Sequence, residues 1–273
     1  MPEIFANTPI IINFAYRTFT WDSESTDKAH VHCVVVGFSV ADYPKPKKIF
    51  TDKNNYEVAQ NINGYLLDAP DIFIQNRGKP LAPWLPKMTK GNQPTDGKYL
   101  IVEADQYDDF IKREPRAVKF LRPYFGAESF LQGKRRRCLW LVDATADELK
   151  LPLIAERLEA VRRVRLKSAT ASVRAAAKTP HLFTQIRQPS TSSIIIPRVS
   201  GERRKYVPIG LMPPTSIASD AMLLILSDDR FLFGVLESSV HMAWMRAVCG
   251  RLKSDYRYSN KIVYNNFPFV LPH

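Results

Sequence analysis

The sequence predicts an α+β fold of mixed, mostly antiparallel short strands, with one long basic amphipathic helix and a C-terminal helix. Short runs of β-branched and aromatic residues, separated by turn-forming residues, predict the strands. Apolar residues at helical spacing predict the first helix over roughly 151–177 and the second over about 236–252.

Composition places the chain among ordinary globular proteins. Of its 273 residues, 45% are hydrophobic and 24% are charged, and this length allows a sizeable core. Its apolar runs, such as AMLLIL, are too short to span a bilayer, so we expect no membrane partner. Residues 1–16 contain no basic leader and no cleavage site, so we expect a cytoplasmic protein. Three scattered cysteines, Cys33, Cys138 and Cys249, argue against a disulfide framework.

The charge is strongly positive. Lys and Arg total 39 against 27 for Asp and Glu, which gives a net charge of +12 and a pI of about 9.6. Such a balance indicates a polyanionic partner, most often nucleic acid, although many soluble proteins are mildly basic. The distribution of the charge therefore has to decide between these two interpretations.

The first part of the chain is predicted to be rich in strands. PIIINFAYRTFTW and AHVHCVVVGFSV, within residues 9–40, are typical of two strands that DSESTDK connects. The prolines of DYPKPKKIFTDKNN exclude a helix there. Turn residues divide 56–125 into short elements, with a strand at YLIVEA and a helix at ADQYDDFIKRE that ends near Pro115.

The long helix contains one residue that does not fit its pattern. Ile154, Leu158 and Val161 form an apolar stripe, and basic residues such as Arg163 lie on the opposite face. Arg165 follows Val161 by four residues and therefore falls on the apolar stripe. Either the helix is interrupted near Arg165, or this side chain points at something buried or bound, because an unpaired arginine is costly to bury.

The last third of the chain is predicted to alternate strands and turns before the second helix. SIIIPRVS, KYVPIGLMPP, AMLLILS and FLFGVLES are interpreted as short strands. Leu236, Val240, Trp244, Val248 and Leu252 repeat every four residues and define the predicted apolar face of the second helix.

Most catalytic and cofactor motifs are absent from the sequence. It contains no G-x-G-x-x-G, Walker loop, paired C-x-x-C or G-x-S-x-G, and we expect no catalytic residue and no metal ligand. One loose match exists: Asp71, Asp96 and Lys98 have the spacing of Mg²⁺-dependent nucleases. Asp96 lies among turn residues rather than on a core strand, so we interpret this match as a coincidence.

Arginine-rich clusters are the strongest local signal for function. An arginine presents a planar fork of donors that fits phosphate oxygens or the edge of guanine. Glu202 lies within one cluster and would repel phosphate, but an acidic side chain can accept from the amino group of cytosine. We therefore predict a DNA interface, with solvated surface as the alternative for any single cluster. The candidates are Arg135, Arg136, Arg137, Arg163, Arg165, Lys167, Arg198, Ser200, Glu202, Arg203, Arg204, Lys205, Arg251, Lys253 and Arg257.

Several long motifs resemble one family of enzymes. FAYRTFTW, GNQPTDGKYLIV, GKRRRCLWL, IIIPRVSGERRKYVPIG and FGVLESSVHMAWMRAVCGRLKSDYRYS are similar to the C-terminal half of MmeI-like enzymes. These are large single-chain proteins, including fused restriction–modification enzymes, with a class I S-adenosylmethionine-dependent adenine methyltransferase. The resemblance implies that residues 1–40 close a truncated methyltransferase domain. It also implies a target recognition domain over 41–228 and the start of a C-terminal helical region over 229–273.

The resemblance has further implications for partners and chemistry. It implies double-stranded DNA as a partner, together with an N-terminal methyltransferase fragment. The F-x-G-x-G and N-P-P-[FY] motifs of the complete enzyme are absent, so we expect no cofactor in this chain; S-adenosylmethionine belongs to the complete enzyme. Phe19 or Trp21 is placed near the base pocket, where it would stack on an extruded adenine. The alternative is that both are core aromatics.

Three functions are consistent with the sequence. The first is a sequence-specific DNA-binding fragment of an adenine methyltransferase, truncated at both ends. The second is a specificity subunit that completes such an enzyme in trans. The third, least supported, is a stand-alone nuclease that uses Asp71, Asp96 and Lys98.

Overall fold

The computed structural model describes residues 2–22, 30–52 and 54–270. The chain divides into two compact units. Unit 1 consists of Met1–Gly78, Gly201–Arg203 and Ala243–Phe267. Unit 2 consists of Lys79–Ser200, Arg204–Met242 and Pro268–His273.

The described part of the chain forms many short strands and several helices. The strands are β1 (Ile11–Asp22), β2 (His30–Ser39), β3 (Lys47–Phe50), β4 (Tyr56–Ala59), β5 (Met88–Lys90), β6 (Ile101–Val102), β7 (Leu121–Phe125), β8 (Arg137–Leu139), β9 (Ser193–Pro197), β10 (Val199–Ser200), β11 (Gly210–Met212), β12 (Ile217–Ala218), β13 (Met222–Ile225), β14 (Gly250–Leu252) and β15 (Asp255–Arg257). The α-helices are α1 (Pro2–Asn7), α2 (Tyr107–Arg113), α3 (Ala127–Gln132), α4 (Pro152–Leu166), α5 (Ala171–Ala175), α6 (Arg230–Leu236) and α7 (Ser239–Val248). A π-helical turn covers Asn260–Tyr264.

Unit 1 is built on a four-stranded sheet with the order β2-β1-β3-β4. β1 pairs antiparallel with β2 and parallel with β3, and the register of the first pair shifts between Tyr16 and Phe19. Ile12, Ala15 and Ile49 are almost fully buried in the core of this sheet. The antiparallel hairpin of β14 and β15 belongs to the same unit.

Unit 2 contains two four-stranded sheets, with the orders β11-β9-β13-β5 and β12-β7-β8-β6. All pairs in the first sheet are antiparallel, and in the second only β7 and β12 are parallel. The main core of this unit packs Leu139 and Leu141 against Ile154 and Val161 of α4. The observed structure thus confirms the predicted α+β class with mostly antiparallel short strands.

Local predictions were mostly confirmed for strands. β1, β2, β9, β11 and β13 lie in the segments that the sequence assigned to them. One strand prediction was wrong, because FLFGVLES forms helix α6. The side chain of Asp229 accepts a hydrogen bond from the amide of Phe231 at 2.8 Å and so caps the start of this helix. Apolar residues alone could not distinguish a buried strand from this capped helix.

Both predicted long helices are shorter than the sequence indicated. The first ends at Leu166, and a separate short helix, α5, follows it. The second predicted helix is broken between α6, which ends at Leu236, and α7, which begins at Ser239. Because α7 ends at Val248, Leu252 lies on β14 and not on a helix. Val240 is 67% exposed, while Met242 and Met245 are buried. The repeat of every four residues was therefore not the buried face of α7.

Candidate nucleic-acid interface

Arg165 of unit 2 is fully buried, and its exposed fraction is 0%. Its guanidinium donates five hydrogen bonds of 2.7–3.1 Å. The acceptors are the backbone carbonyl oxygens of Pro94, Thr95, Ala176, Thr179 and Leu182. Every donor of the guanidinium is satisfied in this way, so the predicted DNA contact at Arg165 was wrong. Both alternatives offered by the sequence hold. The Arg165 side chain points into the protein, and α4 ends one residue later, at Leu166.

Other basic residues of α4 remain available to a ligand. Arg163 and Lys167 are exposed, as the sequence predicted for the face opposite the apolar stripe. Arg163 lies in the last turn of the helix, where cations are favoured by the helix dipole. This face therefore presents positive charge to solvent within unit 2.

Arginines 135–137 differ in their contacts and exposure. Arg136 makes a bidentate ion pair with Glu103, with its Nε at 2.9 Å from the Oε2 atom. The guanidinium of Arg137 lies 4.5 Å from the centre of the Tyr107 ring. Arg135 is exposed. Arg136 and Arg137 therefore hold structural contacts, while the side chain of Arg135 is accessible to solvent.

Within the segment 198–205, the residues that belong to unit 2 differ in exposure and in their contacts. Arg198 is partly buried and donates to the carbonyl oxygen of Asp220 at 3.2 Å. Ser200 is buried, with an exposed fraction of 2%, so the predicted DNA contact at Ser200 was wrong. Arg204 and Lys205 are exposed, and the ammonium of Lys205 lies 5.7 Å from the centre of the Tyr206 ring.

Glu202, in unit 1, is held by the hairpin of β14 and β15. Its backbone amide donates to Oδ1 of Asp255 at 3.3 Å. Its carboxylate lies 4.0 Å from Nη1 of Arg251. Arg251 is itself fixed, because its guanidinium lies 4.0 Å from the centre of the Tyr256 ring and donates to the carbonyl oxygen of Ser254 at 2.8 Å. The side chain of Glu202 is 48% exposed, so it is oriented and still accessible.

The same hairpin carries the remaining basic candidates of unit 1. Lys253 and Arg257 are exposed, and Lys253 adopts a left-handed backbone conformation with φ of 56° at the hairpin turn. A cavity of about 540 Å³ lies beside Glu202 and Arg251. Two further arginines, Arg17 and Arg246, line it. Arg17 was missed by sequence analysis because it is a single basic residue in an aromatic strand.

Comparison with known proteins assigns a family to most of the chain. The family model of the MmeI target recognition domain matches residues 68–271, which is most of the chain. The chain belongs to this family. The model of the MmeI DNA-methyltransferase domain matches residues 1–51. The DNA-binding candidates from Arg135 to Arg257 therefore all lie in the MmeI target recognition segment, and Arg17 lies in the methyltransferase segment.

Two known proteins are similar to this chain over nearly its whole length. DNA methyltransferase A of Bacillus subtilis (strain 168) is 38% identical over 260 residues, which is 95% of this chain and 29% of that protein. A solved structure of the Type IIL restriction–modification enzyme MmeI in complex with DNA matches with a TM-score of 0.93 and 39% identity. That match covers 100% of this chain and 37% of the MmeI chain. The chain thus spans about a third of the length of these relatives.

Asp71, Asp96 and Lys98, which match the spacing of Mg²⁺-dependent nucleases, do not form a nuclease centre in the structure. Asp96 is buried, and its carboxylate accepts from the backbone amides of Lys98 at 3.1 Å and Leu100 at 2.7 Å. Gly97 and Lys98 have φ of 63° and 70°, so Asp96 stabilises a tight turn. Within the described ranges, no cluster of three or more His, Cys, Asp or Glu side chains is arranged to hold a metal. Nor does any helix of those ranges have the length and apolarity to cross a membrane.

The two aromatic candidates lie in the methyltransferase segment, on β1. Phe19 is partly buried and pairs with Cys33 across the sheet. Trp21 pairs with Val31, and its side chain is outside the described residues.

Proposed function

We propose that this chain recognises a specific sequence in double-stranded DNA as the target recognition part of an adenine-specific (N6) methyltransferase of a restriction–modification system. The observation that carries the proposal is the accessible carboxylate of Glu202, which the hairpin orients within a basic segment. Surfaces that only bind backbone phosphate gain nothing from a fixed carboxylate, because it repels phosphate. The solved MmeI structure, described as a complex with DNA, supports the same function.

The candidate residues take two roles in this proposal. Glu202 and Arg204 read base edges: a carboxylate accepts from the amino group of cytosine, and an arginine fork donates to guanine. The other exposed cations contact phosphates and fix the register of the domain on the duplex. These are Arg135, Arg163, Lys167, Arg203, Lys205, Lys253 and Arg257, with Arg198 in support. Phe19 and Trp21 are proposed to lie beside the extruded adenine when a methyltransferase core is present.

Methyl transfer is proposed to depend on a methyltransferase core that this chain joins, either within one protein or in trans. The support is the match of residues 1–51 to the methyltransferase model. S-adenosylmethionine would supply the methyl group, but no residues here fit it: the sequence has no F-x-G-x-G loop, and its nearest string to N-P-P-[FY] is Met212-Pro213-Pro214-Thr215. The proposed place of action is the cytoplasm, where the DNA substrate is found.

Selection from random duplex DNA tests the proposed function. The chain is mixed with a pool of random duplexes at two salt concentrations, and the bound fraction is sequenced. We expect enrichment of one short motif at both concentrations. Salt-sensitive binding without a motif would contradict sequence recognition, because it would show that the basic residues hold backbone phosphates alone.

A further inference from the structure

The sheet of unit 1 has one buried face and one accessible face. Residues that oppose each other on neighbouring strands lie on the same face of a sheet, and the next residue along lies on the other. Ala15 of β1 opposes Ile49 of β3, and both are almost fully buried. Tyr16, the next residue, opposes Phe50 and therefore lies on the second face. Tyr56 of β4 opposes Phe50 and is 47% exposed, so this second face is accessible to a ligand.

Aromatic rings form a row across the accessible face. The rings of Tyr16 and Phe50 are stacked, with their centres 4.3 Å apart and an angle of 7° between their planes. The centre of the Phe50 ring lies 5.4 Å from that of Tyr56. Phe14 packs edge-on against Tyr16, with a distance of 6.4 Å between the ring centres. We call the face formed by Phe14, Tyr16, Phe50 and Tyr56 the aromatic platform.

The position of Phe14 in the aromatic platform depends on a glycine of the neighbouring strand. Gly37 of β2 opposes Phe14, and a Cβ atom at Gly37 would lie 2.1 Å from the Phe14 ring. Glycine therefore allows the ring to approach the backbone of β2 closely. Because the rings are held by their packing before any ligand arrives, little conformational entropy is lost when a further planar group stacks on them.

Two lysines border the aromatic platform. The ammonium of Lys48 lies 4.2 Å from the centre of the Tyr56 ring, and Lys45 is exposed in the loop before β3. Both lysines line a cavity of about 550 Å³ together with the four aromatic residues. None of the described residues that line this cavity is acidic. The cavity is thus aromatic and positively charged at the same time.

The acidic residues of β4 and of the two flanking loops lie outside this cavity. Glu57 of β4 opposes Ile49 and therefore lies on the other face of the sheet. The carboxylate of Asp52 accepts hydrogen bonds from two backbone amides of its own turn, both at 2.9 Å. Asp42 is exposed in the loop after β2 and does not line the cavity. The charge of the cavity lining is therefore that of the two lysines.

This combination of groups fits unpaired nucleotides. Unpaired bases stack on aromatic rings, while cationic side chains hold the phosphates between them. A duplex keeps its bases stacked on one another and offers no free base face to the rings. A further layer of protein would bury the charge of Lys48, which is costly without an acidic partner. A single strand therefore matches the aromatic platform better than a duplex or a protein layer does.

We propose that the aromatic platform binds single-stranded nucleic acid, with unpaired bases stacked on Phe50 and Tyr56 and phosphates held by Lys45 and Lys48. This site goes beyond the proposed function, in which other segments of the chain read base edges in duplex DNA. Strands of deoxyribose and of ribose share the chemistry that the platform recognises, so the test compares the two.

A strand without bases separates stacking from charge. Fluorescence anisotropy measures binding of the chain to oligothymidylate, to oligouridylate and to an abasic deoxyribose-phosphate strand of the same length. We expect oligothymidylate to bind at least about fivefold more tightly than the abasic strand, because one stacked base contributes at least this factor. The same preference for oligouridylate supports both kinds of strand as ligands, and its absence there supports DNA alone. Equal affinity for oligothymidylate and the abasic strand overturns the proposal.

Variants assign the preference for bases to the aromatic platform. Tyr56→Ala should remove most of this preference without a change in charge. Tyr99→Ala is the matched control, since Tyr99 is 44% exposed in unit 2, and it should keep the preference. Lys48→Gln should weaken binding to both strands alike and lower the salt slope by about 0.7, the value for one phosphate of a single strand. Equal losses in Tyr56→Ala and Tyr99→Ala overturn the proposal.

Photocrosslinking gives a measurement that does not depend on the folding of any variant. The wild type is irradiated with a strand that carries one 5-iododeoxyuridine, and the crosslinked peptide is identified by mass spectrometry. We expect crosslinks to Tyr16, Phe50 or Tyr56, and crosslinks confined to unit 2 overturn the proposal. Motif selection from random duplexes uses neither result, so failure of the aromatic platform and failure of the proposed function can be told apart.

Discussion

Arg165 and Arg204 carry the same side chain in opposite settings within unit 2. Arg165 is buried and gives all its donors to five backbone carbonyls, whereas Arg204 is exposed at its position in the basic segment. The first setting holds the segment after α4 in place, and the second leaves donors for a ligand. An arginine-rich sequence therefore mixes structural and binding residues, and accessibility separates them.

The comparison also applies to groups other than arginine. Glu202 is oriented by a hairpin and is accessible, while Asp96 is oriented by a turn and buried. The carboxylate of Asp96 accepts from two backbone amides inside the fold, whereas the carboxylate of Glu202 lies 4.0 Å from Nη1 of Arg251 and is accessible to a ligand.

Replacement of Arg165 should have the largest effect on stability. Arg165→Ala leaves a cavity at a fully buried side chain and removes five hydrogen bonds to backbone carbonyl oxygens. A hydrogen bond to a charged group contributes about 1.5–3 kcal/mol. We expect the free energy of unfolding to fall by at least about 3 kcal/mol. Urea unfolding measures this change. Arg163→Ala, on the exposed face of the same helix, is the control and should change stability by less than about 0.5 kcal/mol.

His241 should make the stability of unit 2 depend on pH. Burial lowers its pKa to about 4, from about 6.5 in an unfolded chain. The unfolded state therefore binds the proton more readily. This contribution is fully present above pH 6.5 and is lost as the pH falls from about 6.5 to about 4, by about 3 kcal/mol in all.

Unfolding measured at pH 7 and pH 5 checks the titration of His241. His241→Gln should be less stable at pH 7 and should show a smaller decrease between the two pH values. His181→Gln is the control, since His181 is only partly buried and should contribute less. An equal decrease in wild type and His241→Gln would assign the pH dependence to other groups.

Replacement of Arg204 should affect recognition rather than folding. Arg204→Ala should weaken binding to the selected motif by about 1–3 kcal/mol and change binding to a scrambled duplex less. Fluorescence anisotropy titrations measure the binding free energy on each of the two duplexes. Equal losses on both would show that Arg204 contacts phosphate and would remove it from base reading.

Replacement of Arg163 should give the smallest effect and the opposite pattern. As a proposed phosphate contact, Arg163→Ala should weaken binding to motif and scrambled duplexes equally, by about 1 kcal/mol or less. The salt slope should fall by about 1. A loss confined to the motif duplex would instead show that α4 reads bases.

Much of the fold could be predicted from the sequence because local patterns decide it. Strands β1, β9 and β13 are dense in β-branched and apolar residues and are bounded by turns, and the structure has strands there. FLFGVL was mistaken for a strand because the deciding contact, the cap from Asp229, involves a single residue. The apolar repeat over 236–252 failed because the break before α7 changes which residues face the core.

The candidate site could be predicted only in part. Clusters of arginine located the exposed residues of the segment 198–205, but no sequence pattern shows that Arg165 meets carbonyls from Pro94 to Leu182. These partners are distant in the chain and come together only by folding. Arg17 was missed because it is a single basic residue in an aromatic strand, and its hydrogen bond to Leu66 joins residues that are distant in the chain.

The most direct test of the central claim is a selection experiment with Glu202→Gln alongside the wild type. Glutamine keeps the size of the side chain but replaces a double acceptor with an acceptor and a donor, which changes the base edges that it can meet. We predict that the variant selects a motif with a changed or broadened preference at one position and the same bases elsewhere. An identical motif at every position would contradict base reading by Glu202.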